Sequence, residues 1–338
     1  MTWFCRFPKN RPLVVLGRFR ASSFSLDGRS IRPTALMILA TKTLAAINAA
    51  LEKDQGALYR KNLGEALALC HDAFDPEEDY MPRSHLGSSL IGEPCPRKLW
   101  YSFHWAKYIR HEGRMVRLFN RGHLEEARFI ALLRTGGLTT WHDTGEEGEK
   151  HQFRISGYNG HYGGSLDGIG ANCPDLPQIP YFLLEFKTHS KASFEKLVKE
   201  GVDKAKPMHV IQCNQYMGEW GLPFALYCAV CKNNDELHLE ILPYDSYLHH
   251  SYFDRAGKII GQTTPPPRLH DSASWYDCKY CDFKGLCFGE EQCAHNCRTC
   301  RKSCEGMAAS WLCVTRNVTL SKEAQYQGCD SWDRREGL

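Results

Sequence analysis

The chain lacks a strong charge of either sign. Its 42 Lys and Arg against 39 Asp and Glu leave a formal net charge of +3. A balance so close to neutral gives no whole-chain signature of a nucleic-acid binder, so any basic surface must be local. No stretch is long and apolar enough to span a bilayer, which argues against a membrane partner. The apolar run from Pro12 to Leu16 is too short for a signal peptide. A Walker phosphate loop is missing, so ATP-driven unwinding would have to come from elsewhere. No internal repeat of solenoid length appears either.

What the chain has is a hydrophobic fraction of 43% over 338 residues. That is enough for one large buried core, and it excludes a mainly disordered protein. Residues 1–36 differ from the rest. Arg6, Lys9, Arg11, Arg18, Arg20, Arg29 and Arg32 face one acid, Asp27. Such an acid-poor leader suits a transit peptide in composition but lacks its amphipathic pattern. The favoured expectation is a start at Met37, with residues 1–36 an upstream extension or flexible tail.

Apolar spacing predicts two helices between Leu44 and Ala73 and an amphipathic helix over Met115–Leu133. Leu118, Phe119, Ala127, Ile130 and Leu133 are its expected buried positions. The period then shortens. Gln152–Ser156 alternates, Asn159-Gly160 marks a hairpin turn, and His161–Ile169 reads as the returning strand. Tyr181–Phe186 suits a buried central strand. Helices over Ser190–Lys204 and His209–Trp220, strands over Phe224–Val230 and Glu236–Leu242, and a helix over Asp245–Ile260 follow. This order predicts an α/β fold with a mixed central sheet flanked by helices, followed by a small cysteine-rich C-terminal module.

The densest chemical signal is Glu185-Phe186-Lys187 at the end of the central strand. Alternation puts Glu185 and Lys187 on one face and Phe186 on the other. Asp167 sits on the preceding hairpin, where a neighbouring strand could bring it beside Glu185. Two hard oxygen ligands suit Mg²⁺ or Mn²⁺, which keep waters and bind phosphate. A charged strand end is also an ordinary solvated face, and the triad alone does not separate the two readings.

Two further elements flank the triad. Arg121-Gly122-His123-Leu124-Glu125-Glu126 precedes it and Gln212-Cys213-Asn214-Gln215-Tyr216 follows it. Together, from about Ser88 to Leu242, these segments resemble the PD-(D/E)XK nuclease superfamily, in particular its lambda-exonuclease and RecB-like branches. The resemblance implies a restriction-endonuclease-like core and a metal-dependent DNA exonuclease that processes duplex ends for recombination or repair. It implies Glu126, Asp167 and Glu185 as metal ligands, Lys187 as a transition-state stabiliser, and Gln212 and Tyr216 beside the site. The proline of the family name is replaced by Leu166. His123 shares a helix face with Glu126 and is either an auxiliary group or plain surface. The resemblance further implies DNA as substrate, a single-strand annealing recombinase or helicase as partner, and a cytoplasmic setting in a bacterium or phage-infected cell. A non-catalytic nucleic-acid binder on the same scaffold, or a nuclease subunit dependent on its partner, are the alternatives.

Nine of the 16 cysteines fall between Cys278 and Cys329. Short-spaced cysteines without a secretory signal suggest metal ligands before disulfides. Cys278, Cys281 and Cys287 need a fourth ligand, and Cys95 is a candidate. This layout, one cysteine before the core and three after it, resembles AddB and CRISPR-associated RecB-like nucleases. That resemblance implies a [4Fe–4S] cluster; zinc and unmetallated thiols stay open. In the tail, Cys297, Cys300, Cys313 and Cys329 form a candidate Zn²⁺ site, with Cys293 and Cys304 as alternates. Cys293, Cys297 and Cys300 also match the radical S-adenosylmethionine spacing, but too little chain follows for the barrel that chemistry needs. The expected organisation is a 1–36 leader, a 37–290 nuclease domain and a 291–338 zinc module folding separately. Arg298, Arg301, Lys302 and Arg316 of that module could meet phosphates.

Overall fold

The computed structural model describes residues 37–70, 81–143 and 152–338, so the leader lies outside the described residues. The described chain runs β1 (Ile38–Leu39), α1 (Thr41–Asp54), α2 (Ala57–Leu67), β2 (Leu86–Gly87), α3 (Pro96–Phe103), α4 (Gly113–Thr135) and β3 (Thr139–Trp141). Then come β4 (Arg154–Gly157), β5 (Tyr162–Ser165), β6 (Gly168–Ala171), β7 (Phe182–His189), α5 (Lys191–Glu200), α6 (Val202–Ala205) and α7 (Pro207–Trp220). β8 (Phe224–Cys231), β9 (Leu237–Pro243) and α8 (Ser246–Ile260) complete the central layers. Short elements close the chain: α9 (Tyr276–Lys279), α10 (Lys284–Phe288), β10 (Ser303–Glu305), β11 (Trp311–Cys313), β12 (Val318–Leu320) and α11 (Lys322–Gln327).

The central sheet has six strands in the order β1-β9-β8-β7-β6-β3. β7 and β8 are parallel and the other pairs antiparallel, so the sheet is mixed as expected. A parallel pair needs a crossover, and α5, α6 and α7 supply it. β7 alternates strictly. Phe182, Leu184 and Phe186 join the core shared with Ala127, Phe129, Ile130 and Leu133 of α4. Leu183 points to the other core, with Cys213, Tyr216 and Met217 of α7. The α4 helix buries Ala127, Ile130 and Leu133, whereas Phe119 stays exposed and Leu118 half-buried.

Asn159 and Gly160 both take positive φ, 56° and 87°, and join β4 to β5 as the hairpin turn. The returning strand is not continuous. It breaks at Leu166-Asp167, and its halves serve different sheets: β5 pairs with β4 and β2, β6 with β7 and β3. The Leu166 N–H still bonds the Phe153 carbonyl at 2.8 Å, while the Asp167 carboxylate takes the Phe186 N–H at 2.6 Å. A side chain thus replaces a backbone acceptor where the chain changes sheets. The helix predicted over Ser190–Lys204 is likewise split, at Gly201, whose φ of 78° ends α5. Asp245 caps α8 by accepting the Tyr247 and Leu248 N–H groups, a contact that stabilises by about 1 kcal/mol.

The cysteine-rich tail forms its own small sheet, β10-β11-β12, but it does not stand apart from the core. Trp311 is fully buried in the same core as Leu99, Trp100 and Phe103. Arg298 is also fully buried: its guanidinium lies 3.7 Å from the Trp105 ring centre and donates to the Phe103 and Ser84 carbonyls at 2.9 and 3.1 Å. Trp311 and Arg298 thus tie the tail to the core. Sequence spacing could not reveal an arginine that plugs carbonyls about two hundred residues upstream. Arg298 is also withdrawn from any phosphate-binding surface, and Arg301 pairs with Asp333 at 2.7 Å. No helix among the described residues is long and apolar enough to cross a membrane.

Candidate active site

Glu185 lies in the middle of β7 and is fully buried. One carboxylate oxygen, Oε1, is paired with the Lys187 ammonium, two residues along the same face. The other, Oε2, is buried with no hydrogen-bond partner. A buried acceptor left unsatisfied costs about 1–3 kcal/mol, more when charged. Burial raises the Glu185 carboxyl well above its usual range; Lys187 opposes the rise and Asp167 adds to it. Burial alone would lower the Lys187 ammonium, but the charges of Glu185 and Asp167 outweigh it and hold it above its usual value. Lys187 keeps 23% of its side chain exposed, so this group opens to solvent on one side.

Asp167 reaches the site from the sheet break. Its Oδ2 accepts the Phe186 N–H, which fixes the carboxylate against β7 beside Glu185. The layer above is α7. Gln212 donates to the Tyr216 hydroxyl at 3.3 Å, and both side chains are buried. Burial, then the Glu185 charge, pushes the Tyr216 phenol up, while Ser88 and Gln212 oppose the rise. Gly164 of β5 lets this layer close: a Cβ there would collide with Ser88 Oγ and lie 2.9 Å from the Tyr216 hydroxyl. Asp167, Glu185, Lys187 and Tyr216 are thus brought together, with Gln212 supporting Tyr216 from within the helix.

Glu126 occupies a different position. It lies in α4, in a group with Cys70 and His142 whose ligand atoms all lie within 4.8 Å of one another. The His142 ring bonds the Asp167 carbonyl through Nδ1 at 3.1 Å, which links this group to the Asp167 side of the site. His123 Nδ1 is 3.8 Å from Glu126 Oε1.

Sequence reading missed a second polar group on the Glu185 face. His189 follows Lys187 by one strand period. Its Nε2 is 3.2 Å from the Tyr227 hydroxyl, which is 2.8 Å from His209 Nδ1. Tyr227 pairs with Glu185 in the parallel register. Burial, with Lys206 and Lys187 adding, lowers His189 to about 4; burial, with Lys187 adding, lowers His209 to about 3. Both rings are neutral at pH 7. Strand alternation could have found His189. Tyr227 and His209 needed the strand pairing.

The two cysteine sets each converge. Cys95, Cys278, Cys281 and Cys287 line one cavity together with Arg97 and Lys98. Burial raises the thiols of Cys278, Cys281 and Cys287, and each is raised further by Cys95. In the tail, burial pushes Cys297 up to about 11, with Cys329, Cys300 and Cys313 adding in that order. Cys300 Sγ accepts the Asp333 N–H at 3.4 Å.

No protein-family model matches the chain, and no curated protein matches it in sequence. Among solved structures, the chain is similar to the crystal structure of SSO0001 at 17% identity and a TM-score of 0.36, over 71% of this chain and 98% of that one. It is similar to the alkaline exonuclease LHK-Exo from Laribacter hongkongensis at 13% identity and a TM-score of 0.37, over 53% of this chain and 87% of that one. Overlap at this level leaves the functional reading to rest on the geometry of the site.

Proposed function

We propose that the chain is a metal-dependent DNA nuclease of the PD-(D/E)XK type, acting from duplex ends in recombination or repair. The observation that carries the reading is Glu185 Oε2: a buried carboxylate oxygen with no hydrogen-bond partner, beside Asp167 and next to Lys187. That arrangement is costly for a fold and suits a hard divalent cation. Asp167 and Glu185 would hold Mg²⁺ or Mn²⁺, with Glu126 approaching from the Asp167 side. A bound ion would acidify an attacking water and offset charge developing at phosphorus.

The chain's own groups do the rest. The Asp167 bond to the Phe186 N–H keeps the carboxylate aimed before substrate arrives. Lys187, held charged by its two acidic neighbours, stabilises the negative transition state. Gln212 and Tyr216 position the Asp167-bearing strand through Gly164. DNA is the substrate of this reading, and a single-strand annealing recombinase or helicase its partner, acting in the cytoplasm.

The reading extends to the thiols. Cys95, Cys278, Cys281 and Cys287 would hold a [4Fe–4S] cluster, whose net negative charge suits the adjoining Arg97 and Lys98. Cys297, Cys300, Cys313 and Cys329 would hold zinc in a 291–338 segment fastened to the 37–290 catalytic region.

Digestion of end-labelled linear, nicked and circular DNA with Mg²⁺ or Mn²⁺ tests the activity and its end requirement. Degradation of linear duplex with sparing of closed circles is expected. Equal cutting of circles would remove the exonuclease assignment, and no cutting of any form would remove the nuclease.

A further inference from the structure

The trio of Cys70, Glu126 and His142 belongs to three different elements. Cys70 lies three residues past the end of α2, Glu126 lies in the middle of α4, and His142 directly follows β3. Their ligand atoms lie mutually within 4.8 Å, with Cys70 and His142 buried and Glu126 half-buried. A thiol, an imidazole and a carboxylate form the donor set of a borderline divalent ion such as zinc, not of magnesium, which takes oxygen.

The imidazole is already oriented. Its Nδ1 bonds the Asp167 carbonyl at 3.1 Å, and a carbonyl can only accept, so Nδ1 carries the proton. Nε2 is then left with the lone pair that a metal needs. A ligating histidine is commonly held by just such a bond from its other nitrogen. The Glu126 side chain keeps 21% of its surface exposed, which gives an ion a way in. His123 Nδ1 lies 3.8 Å from Glu126 Oε1, outside the trio, so water would complete the ion's coordination.

We propose that Cys70, Glu126 and His142 form a binding site for zinc, separate from both cysteine sets, and that zinc there withdraws Glu126 from the magnesium site. The thiol proton of Cys70 passes to solvent when the sulfur ligates. The second half rests on the nuclease reading; the binding itself does not. A zinc-occupied enzyme would cleave poorly until the ion is removed, and the anchoring of His142 on Asp167 would carry the effect to the catalytic carboxylate.

Cobalt(II) reports the site without reference to activity, because thiolate ligation gives a charge-transfer band. Wild-type protein, Cys70→Ser and His142→Asn are loaded with cobalt and their bound metal is counted. Each variant is expected to bind about one equivalent less than wild type, with the remaining thiolate signal intact. Equal counts in all three folded proteins would overturn the site. Should Cys70→Ser fail to fold, His142→Asn carries the test alone. In a second measurement, zinc is titrated against Mg²⁺-dependent cleavage. Measured against its own zinc-free rate, Cys70→Ser should need at least ~10-fold more zinc for half-inhibition, a loss of ~1.4 kcal/mol in binding. Unchanged zinc sensitivity would refute the competition for Glu126. Absence of cleavage in wild-type protein would instead refute the nuclease reading, leaving the cobalt count to decide the site.

Discussion

Along β7, Phe182, Leu184 and Phe186 leave one face of the sheet and meet α4, where Phe129 stacks on Phe186 with ring centres 5.0 Å apart. Glu185, Lys187 and His189 leave the other face toward α7 and β8. The same eight residues therefore build a dry apolar layer and a buried polar one. The first needs no explanation beyond burial, at about 25 cal/mol per Å² of apolar surface. The second works against stability, since a buried carboxylate must be desolvated and one of its oxygens is unmatched. A strand that carries such a face has been kept for something other than cohesion. The core on that side also holds Leu183, Cys213 and Met217 near the polar group, together with Trp100, Phe103 and Trp311.

That contrast can be broken from either face. The largest expected effect is on the apolar one. Phe186→Ala should cost ~3–5 kcal/mol of stability, because the stacked Phe129 loses its neighbour. Urea unfolding measures it, and a loss below about 1 kcal/mol would mean that the layer is not tightly packed. Trp311→Ala should cost a similar ~3–5 kcal/mol and should also loosen the tail, read as faster proteolysis after residue 292. An unaffected core would restore the picture of an independent module.

A smaller effect separates the faces by pH. His189 and His209 are held at about 4 and about 3, below the 6.5 of a free imidazole. The unfolded chain therefore binds more protons than the folded one as pH falls. Their stability contribution is complete above about pH 6.5 and is lost as pH falls toward the folded values. The thermal midpoint should drop between pH 6.5 and 4, and His209→Gln should flatten that slope. An identical slope in the variant would remove His209 from the account.

The fold was legible where periodicity is strong and local. The amphipathic pattern of α4, the Asn159-Gly160 turn and the apolar run of β7 each state their structure within a dozen residues. The two breaks were not legible. The one at Asp167 exists because its carboxylate bonds a backbone amide of another strand, and the one at Gly201 turns on a single positive φ. In the site, alternation alone aligned Glu185 with Lys187, and the sheet break delivered Asp167. Cys70 and His142 escaped notice because each is a lone residue in its segment, and only the docking of α2 and β3 on α4 joins them to Glu126. Arg298 shows the limit most clearly. In sequence it sits in a basic cluster, yet the structure inserts it between carbonyls and Trp105.

The most direct test of the central claim uses the polar face itself. End-labelled linear duplex is incubated with Mg²⁺ and wild-type protein, Lys187→Ala or Glu185→Gln, after circular dichroism and thermal melting have established that the variants are folded. Lys187→Ala should lower the cleavage rate by at least ~10²–10³-fold, the scale of losing one preorganised transition-state contact. Glu185→Gln should abolish Mg²⁺-dependent cleavage in protein that is still folded, because it removes a carboxylate ligand of the metal. Wild-type cleavage by either folded variant would contradict the assignment of this face as the catalytic one.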